Sequence, residues 1–268
     1  MGENGPVAGC YRLVAAVLTG LAGLLPLPAR AVLPDEIQVY TDDVAAPGSF
    51  GMELHVNATP SGRREAEFPN EVTPHHGLRV TPELTYGFAQ DFDAGLYLPI
   101  TRDADGRVLF GGPKLRLKWV PLRPSGTGAG WFAGANAEYS WLNRNFEPET
   151  RRFELRPILG WRDADWLFAF NPVLDWALNG PDKAGRPEFN PSLKAARTVA
   201  EGVALGLEYY GGLGPLGRPA PGAEQSHSLY VALDWERGPL PFQVGIGRGF
   251  GNTDDDWTVK AIFSFSFF

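Results

Sequence analysis

The closing stretch Trp257-Thr-Val-Lys-Ala-Ile-Phe-Ser-Phe-Ser-Phe-Phe268 decides the fold class. Trp257, Val259, Ala261, Phe263, Phe265 and Phe267 share one parity, while Thr258, Lys260, Ser264 and Ser266 share the other; Ile262 and Phe268 break the pattern. A strand turns alternate side chains to opposite faces, so this segment has one aromatic face and one mostly polar face. Three phenylalanines on one face of a terminal strand need an apolar partner. A lipid bilayer supplies it without a second layer of protein.

Upstream of this strand the same alternation recurs in segments of about ten residues. They cover 50–57, 78–88, 92–100, 114–119, 131–141, 153–161, 166–176, 189–195, 203–210, 229–236 and 240–247. With the closing strand they form an even set of about twelve, the parity that single-chain bacterial barrels require. The expected fold is therefore all-β: a transmembrane, antiparallel, up-and-down β-barrel with periplasmic N- and C-termini. Short turns then fall near 89–91, 162–165, 198–200 and 237–238, and longer Gly-, Pro- and charge-rich loops near 59–75, 102–107, 144–150, 179–186, 212–225 and 251–255. The stretch 123–128 is long for its side. Pro82, Pro113, Pro157, Pro172 and Pro191 lie on the outward parity. Because proline cannot donate to a ladder, they are expected at bulges or strand ends.

All eight tryptophans lie on the apolar parity close to strand ends. Trp119, Trp131, Trp161, Trp166 and Trp235 belong to the periplasmic rim, and Trp141, Trp176 and Trp257 to the outer rim. Two such girdles are what amphipathic rings at both bilayer interfaces produce.

The N-terminus begins with a weakly basic stretch around Arg12, followed by an apolar run over 13–25 and then Pro26, Pro28 and Ala29-Arg30-Ala31. This is the order of a secretory signal peptide, and the run is too short for a spanning helix, which needs about 20 residues. Residues 1–31 are thus read as signal, 32–47 as a periplasmic leader and 48–268 as the barrel. Cys10, the only cysteine, precedes the apolar run and leaves with the signal, which excludes a disulfide framework in the mature chain. In the leader, Ile37-Gln-Val-Tyr40 follows an acidic pair and is expected to pack in the barrel mouth. A net charge of −7 without a basic, aromatic-interleaved stripe excludes nucleic acid as a partner.

The closing strand resembles that of bacterial outer-membrane barrels, which typically end in Phe. That likeness implies a Gram-negative outer-membrane location and recognition of this strand by the barrel-assembly machinery. The segments Leu33-Pro-Asp-Glu-Ile-Gln-Val-Tyr-Thr-Asp-Asp43, Phe50-Gly-Met-Glu-Leu-His-Val-Asn57, Thr73-Pro-His-His-Gly-Leu-Arg-Val-Thr-Pro-Glu83 and Gly112-Pro-Lys-Leu-Arg-Leu-Lys-Trp119 resemble a family of small proteobacterial outer-membrane barrels of unassigned role. These are loosely similar to the transporter-like barrels grouped under the MetA-pathway of phenol degradation. The resemblance implies a barrel and passage of small molecules, and carries no functional residue.

The polar parity is the lumen face. Lys114, Arg116 and Lys118 form one basic row, and Arg79, Glu83, Glu138, Glu154 and Arg156 lie on the same parity. These residues could guide an anionic solute along a pore, or pair with one another and plug it, because charges in low dielectric need partners. An outer-membrane phospholipase would need a Ser-His pair, and its His-x-Ser-Asn-Gly motif is absent. His227-Ser228 is adjacent in sequence and splits across two faces, and His75-His76 lacks a third ligand. The expectation is a non-enzyme without cofactor or metal, either a passive channel or transporter-like barrel for small solutes or a closed structural barrel. N-terminal sequencing of the membrane-extracted protein should begin at Val32; a mature chain that retains Cys10 would overturn the signal assignment.

Overall fold

The computed structural model describes residues 36–126, 128–180, 183, 185–252 and 255–267. Fourteen strand segments follow one another: β1 (Phe50–Gly62), β2 (Gly77–Ala89), β3 (Phe92–Tyr97), β4 (Ile100–Arg102), β5 (Val108–Phe110), β6 (Lys114–Leu122), β7 (Gly130–Trp141), β8 (Arg151–Arg162), β9 (Trp166–Ala177), β10 (Glu188–Ala200), β11 (Val203–Gly212), β12 (Ser226–Trp235), β13 (Phe242–Gly251) and β14 (Asp255–Ser266). A single 3₁₀ turn, Gly222–Glu224, is the only helical element among the described residues. β3 and β4 are one barrel strand interrupted at Leu98-Pro99, and β5 and β6 another interrupted at 111–113, so the wall has twelve strands. Each of the twelve pairs antiparallel with its sequence neighbours, and β1 also pairs with β14, which closes the barrel.

Alternation sets the two faces of this wall. Leu115, Leu117, Leu205, Leu207, Val231, Ile246 and Val259 point outward and are about half exposed, although each is strongly apolar. An uninterrupted apolar belt of this kind calls for lipid around it. Trp119 stacks on Phe92, Trp235 on Phe242, and Trp161 and Trp166 on Phe168, all at the short-turn end with Trp131. Trp141 packs on Tyr139, Trp176 on Phe153, and Arg248 lies over Trp257, at the opposite end. Phe267 donates its N–H to Phe50 O and stacks on that ring, so aromatic contact continues past the end of β14. Phe268 lies outside the described residues, as do residues 1–35.

One detail departs from the sequence expectation. Pro157, Pro172 and Pro191 are at neither bulges nor strand ends. Pro172 sits opposite Pro191, and the β8–β9 ladder is interrupted between the pairs Leu155↔Leu174 and Leu159↔Phe170. The unchanged register across that gap puts Pro157 opposite Pro172, where neither residue has an N–H to donate. The long stretch 123–128 is tied to one side chain: the Arg162 guanidinium donates to the carbonyls of Pro124, Gly126 and Gly128.

The inside is not uniformly polar. At the short-turn end Val120, Phe132, Ile158 and Ala169 point inward and form an apolar seat. Gly160 makes room for Phe132: a Cβ there would lie 2.0 Å from the Phe132 ring and 2.4 Å from Phe168 O. Gly160→Val should therefore cost about 1–3 kcal/mol or more through overpacking. On heat-modifiable gel mobility it should lose the compact form, whereas Gly222→Val, in open space, should keep it.

Candidate functional site

The leader fills the lower lumen. Glu36 to Val44 run down the interior, and the chain leaves at the short-turn end, where Gly48 donates to Gly87 O. Gly87 permits this exit, because a Cβ there would lie 2.2 Å from Ala46 O. Val39, Tyr40 and Val44 pack on the apolar seat. The backbone of Tyr40 is held from both sides by Asn171, which accepts from Tyr40 N at 2.7 Å and donates to Tyr40 O at 3.0 Å. The pair of bonds mimics one rung of a β-ladder. Tyr40 OH meets Tyr97 OH at 2.6 Å, and the Arg156 guanidinium lies 4.4 Å from the Tyr40 ring centroid. Arg162 ties Asp42 at 2.8 Å, Arg156 donates to Gln38 O, and Lys260 donates to Ile37 O at 2.9 Å. The expected packing of Ile37-Gln-Val-Tyr40 in the mouth is deeper than the sequence implied, since Ile37, Val39 and Tyr40 are all buried within the wall.

The lumen charges expected from parity do line the interior, and they meet one another there. Lys114 pairs with Glu138 at 3.1 Å. Arg116 reaches Glu83 at 2.7 Å and Asp93 at 2.8 Å, passing over Gly95, where a Cβ would lie 2.7 Å from its Nε. Lys118 lies 3.9 Å from Asp93, and Arg156 bonds Glu154 at 2.9 Å. Arg79 is buried on the same face. The basic row is thus neutralised along its length by carboxylates from neighbouring strands. Three further pairs complete this network; parity puts all their members but Arg152 on the lumen face, and it does not give the pairing. Lys194 pairs with Asp234 at 2.8 Å, Arg152 with Asp175 at 2.9 Å, and the fully buried Lys260 with Glu208. Period two assigns a residue to the lumen but cannot say which acid it will meet across the barrel.

Glu53, His55 and Glu83 bring ligand atoms within 4.8 Å of one another, a cluster that the sequence reading did not identify because its members come from two strands. His55 Nε2 lies 3.2 Å from Glu83 and 3.8 Å from Glu53. Arg116 on Glu83 already supplies the cation that such a carboxylate cluster calls for. His75 and His76 stack on each other at 3.9 Å in the 63–76 loop. Ser228 lines a cavity above the leader, while His227 points away and bonds Tyr209 at 2.7 Å, so the two form no dyad.

Above the leader the lumen opens into a cavity of about 250 Å³. Glu36, Ile37 and Gln38 are its floor. Phe146 and Glu147, from the loop 142–150, lie in its upper wall, and that loop is tied to the 63–76 loop through Val72 N to Asn145 O and Asn145 Nδ2 to Asn70 O. Six carboxylates and four cations line the space. β6–β9 give the charged wall, with Lys114, Glu138, Arg152 and Asp175; β10–β12 give a neutral wall of Asn190, Ser192, Ser226, Ser228, Tyr210 and Tyr230. Burial pushes the Glu147 carboxyl up to about 8, against the pull of Arg152 and with Glu149 and Asp175 adding to the rise.

A closed twelve-stranded wall, an apolar outer belt and a polar, partly filled interior define a membrane-type β-barrel with an internal plug. No protein-family model matches the sequence, and no curated protein matches it. Solved outer-membrane barrels share the fold. The COG4313 outer-membrane channel from Pseudomonas putida F1 aligns with 87% of this chain and 100% of its own at 12% identity, with a TM-score of 0.57. The NanC porin aligns with 81% of this chain and 99% of its own at 10% identity and a TM-score of 0.55. The KdgM porin aligns over 81% and 99% at 11% identity and a TM-score of 0.50.

Because Glu147 is protonated at neutral pH and ionises as pH rises through about 8, the vestibule becomes more negative across that range. Carboxyl-labelled NMR of the protein in micelles should contain a resonance titrating near pH 8 that Glu147→Gln removes. A Glu147 resonance titrating near the ordinary glutamate value would overturn the assignment.

Proposed function

We propose that this protein is an outer-membrane barrel that passes small solutes and rests closed on its own leader. One observation carries the reading. The space below the cavity is occupied by chain 36–44, which the wall holds through hydrogen bonds, an ion pair and apolar packing. The apolar belt, the two aromatic rims and a fold shared with structures described as outer-membrane channels and porins support the location and the class. The finer likeness, to the transporter-like barrels of phenol degradation, belongs to the same proposal, as do signal-directed export, periplasmic termini and recognition of β14 by the assembly machinery. The reading is of a non-enzyme, since Ser228 and His227 face opposite ways.

A second reading, a permanently closed structural barrel acting through its loops, is favoured by the pairing of Lys114, Arg116, Lys118 and Arg156 with acids. Conductance in planar bilayers separates the two. The native protein should be nearly silent, and a variant with residues 36–45 replaced by a Gly-Ser repeat should conduct steadily. Arg162→Ala combined with Asn171→Ala, which removes two of the leader's side-chain anchors and leaves those of Arg156 and Lys260, should open intermittently. If all three proteins insert and stay silent, the channel reading is wrong and the closed barrel stands.

A further inference from the structure

The cavity above the leader has spent its cations and kept acceptors in reserve. Lys114 is engaged by Glu138 and Arg156 by Glu154. Arg152 donates its Nε–H to Asp175 Oδ2 at 2.9 Å, which leaves Asp175 Oδ1 without a hydrogen-bond partner among the described residues. Neither carboxylate oxygen of Glu36 has such a partner, and its nearest cation, Arg156, is 3.8 Å away. Both side chains line the cavity, and both are more than nine-tenths buried. A buried carboxylate oxygen without a donor is costly, and a guest carrying N–H groups removes that cost. Phe146, Val173 and the Tyr210 and Tyr230 rings in the same lining suit an aliphatic stem between charged ends.

We propose that this vestibule binds a small organic cation, an alkylammonium or guanidinium compound, whose N–H groups donate to Asp175 Oδ1 and the Glu36 carboxylate. The proposal rests on the channel reading insofar as it makes the vestibule the entrance of the solute path. It also sets the expected charge preference opposite to the one that the basic row at 114–118 implied.

The test is calorimetric titration of the full-length protein in lipid nanodiscs at about pH 8.5, above the Glu147 titration. The probes are cadaverine, pentanediol and glutarate, which share a five-carbon stem and differ in charge. Cadaverine should bind at one per barrel, at least tenfold tighter than the other two. Asp175→Asn and Glu36→Gln should each weaken it about tenfold, the effect of one lost charge-assisted hydrogen bond. Glutarate binding more tightly, pentanediol binding equally, or no probe binding would each overturn the site. Should Asp175→Asn lose heat-modifiable mobility because Arg152 is stranded, Glu36→Gln, outside the wall, decides alone, and unchanged affinity there overturns the proposal. Cadaverine binding by a barrel that never conducts would sink the channel and leave the site. Conductance after leader replacement, with no cadaverine binding by the native protein, would do the reverse.

Discussion

The ammonium of Lys260 is the point on which the interior depends. It is fully buried on the closing strand β14 and shielded from bulk water on all sides. Desolvating such a charge costs several kcal/mol unless partners surround it. Its partners come from three directions: Glu208 on β11, Gln243 Oε1 at 2.8 Å on β13, and the leader carbonyl of Ile37 at 2.9 Å. Wall and leader are therefore neutralising the same charge. Removing the leader exposes Lys260 to a lumen that must then admit water, so plugging and hydration of the interior are alternatives.

The same rule organises the other side of the barrel. Arg116 can satisfy Glu83 and Asp93 together only because Gly95 leaves space for its side chain. Tyr40 sits among Arg116, Lys118 and Arg156 as a neutral ring within reach of three cations, 5.9, 5.2 and 4.4 Å from its centroid. An aromatic at that position separates like charges and gains from each of them. The leader thus serves the charge balance of the lumen as well as its closure.

Much of the wall was legible in the sequence, because period-two alternation assigns each residue to a face with no knowledge of its neighbours. The tryptophan rims and the twelve-fold count follow from that property alone. What alternation cannot report is what occupies the enclosed space. Ile262, read as a break in the closing strand, is a buried lumen residue, and Phe132 and Ile158 are inward residues that the leader needs. All three look like errors in a pattern that assumes a wet interior. The anchors Asn171 and Arg162 were likewise invisible, because their partners lie 131 and 120 residues away. Only the acidic leader beside an apolar tetrapeptide hinted that such partners exist.

Pro157, Pro172 and Pro191 stand abreast on β8, β9 and β10. In a closed hoop, circumferential tension passes through every join, and this join has lost rungs. Compliance is therefore unequal around the ring and is concentrated on the side that also carries Ile158, Ala169 and Asn171, the surface against which Tyr40 rests. A lateral squeeze or stretch of the surrounding bilayer would be felt first where the plug is gripped.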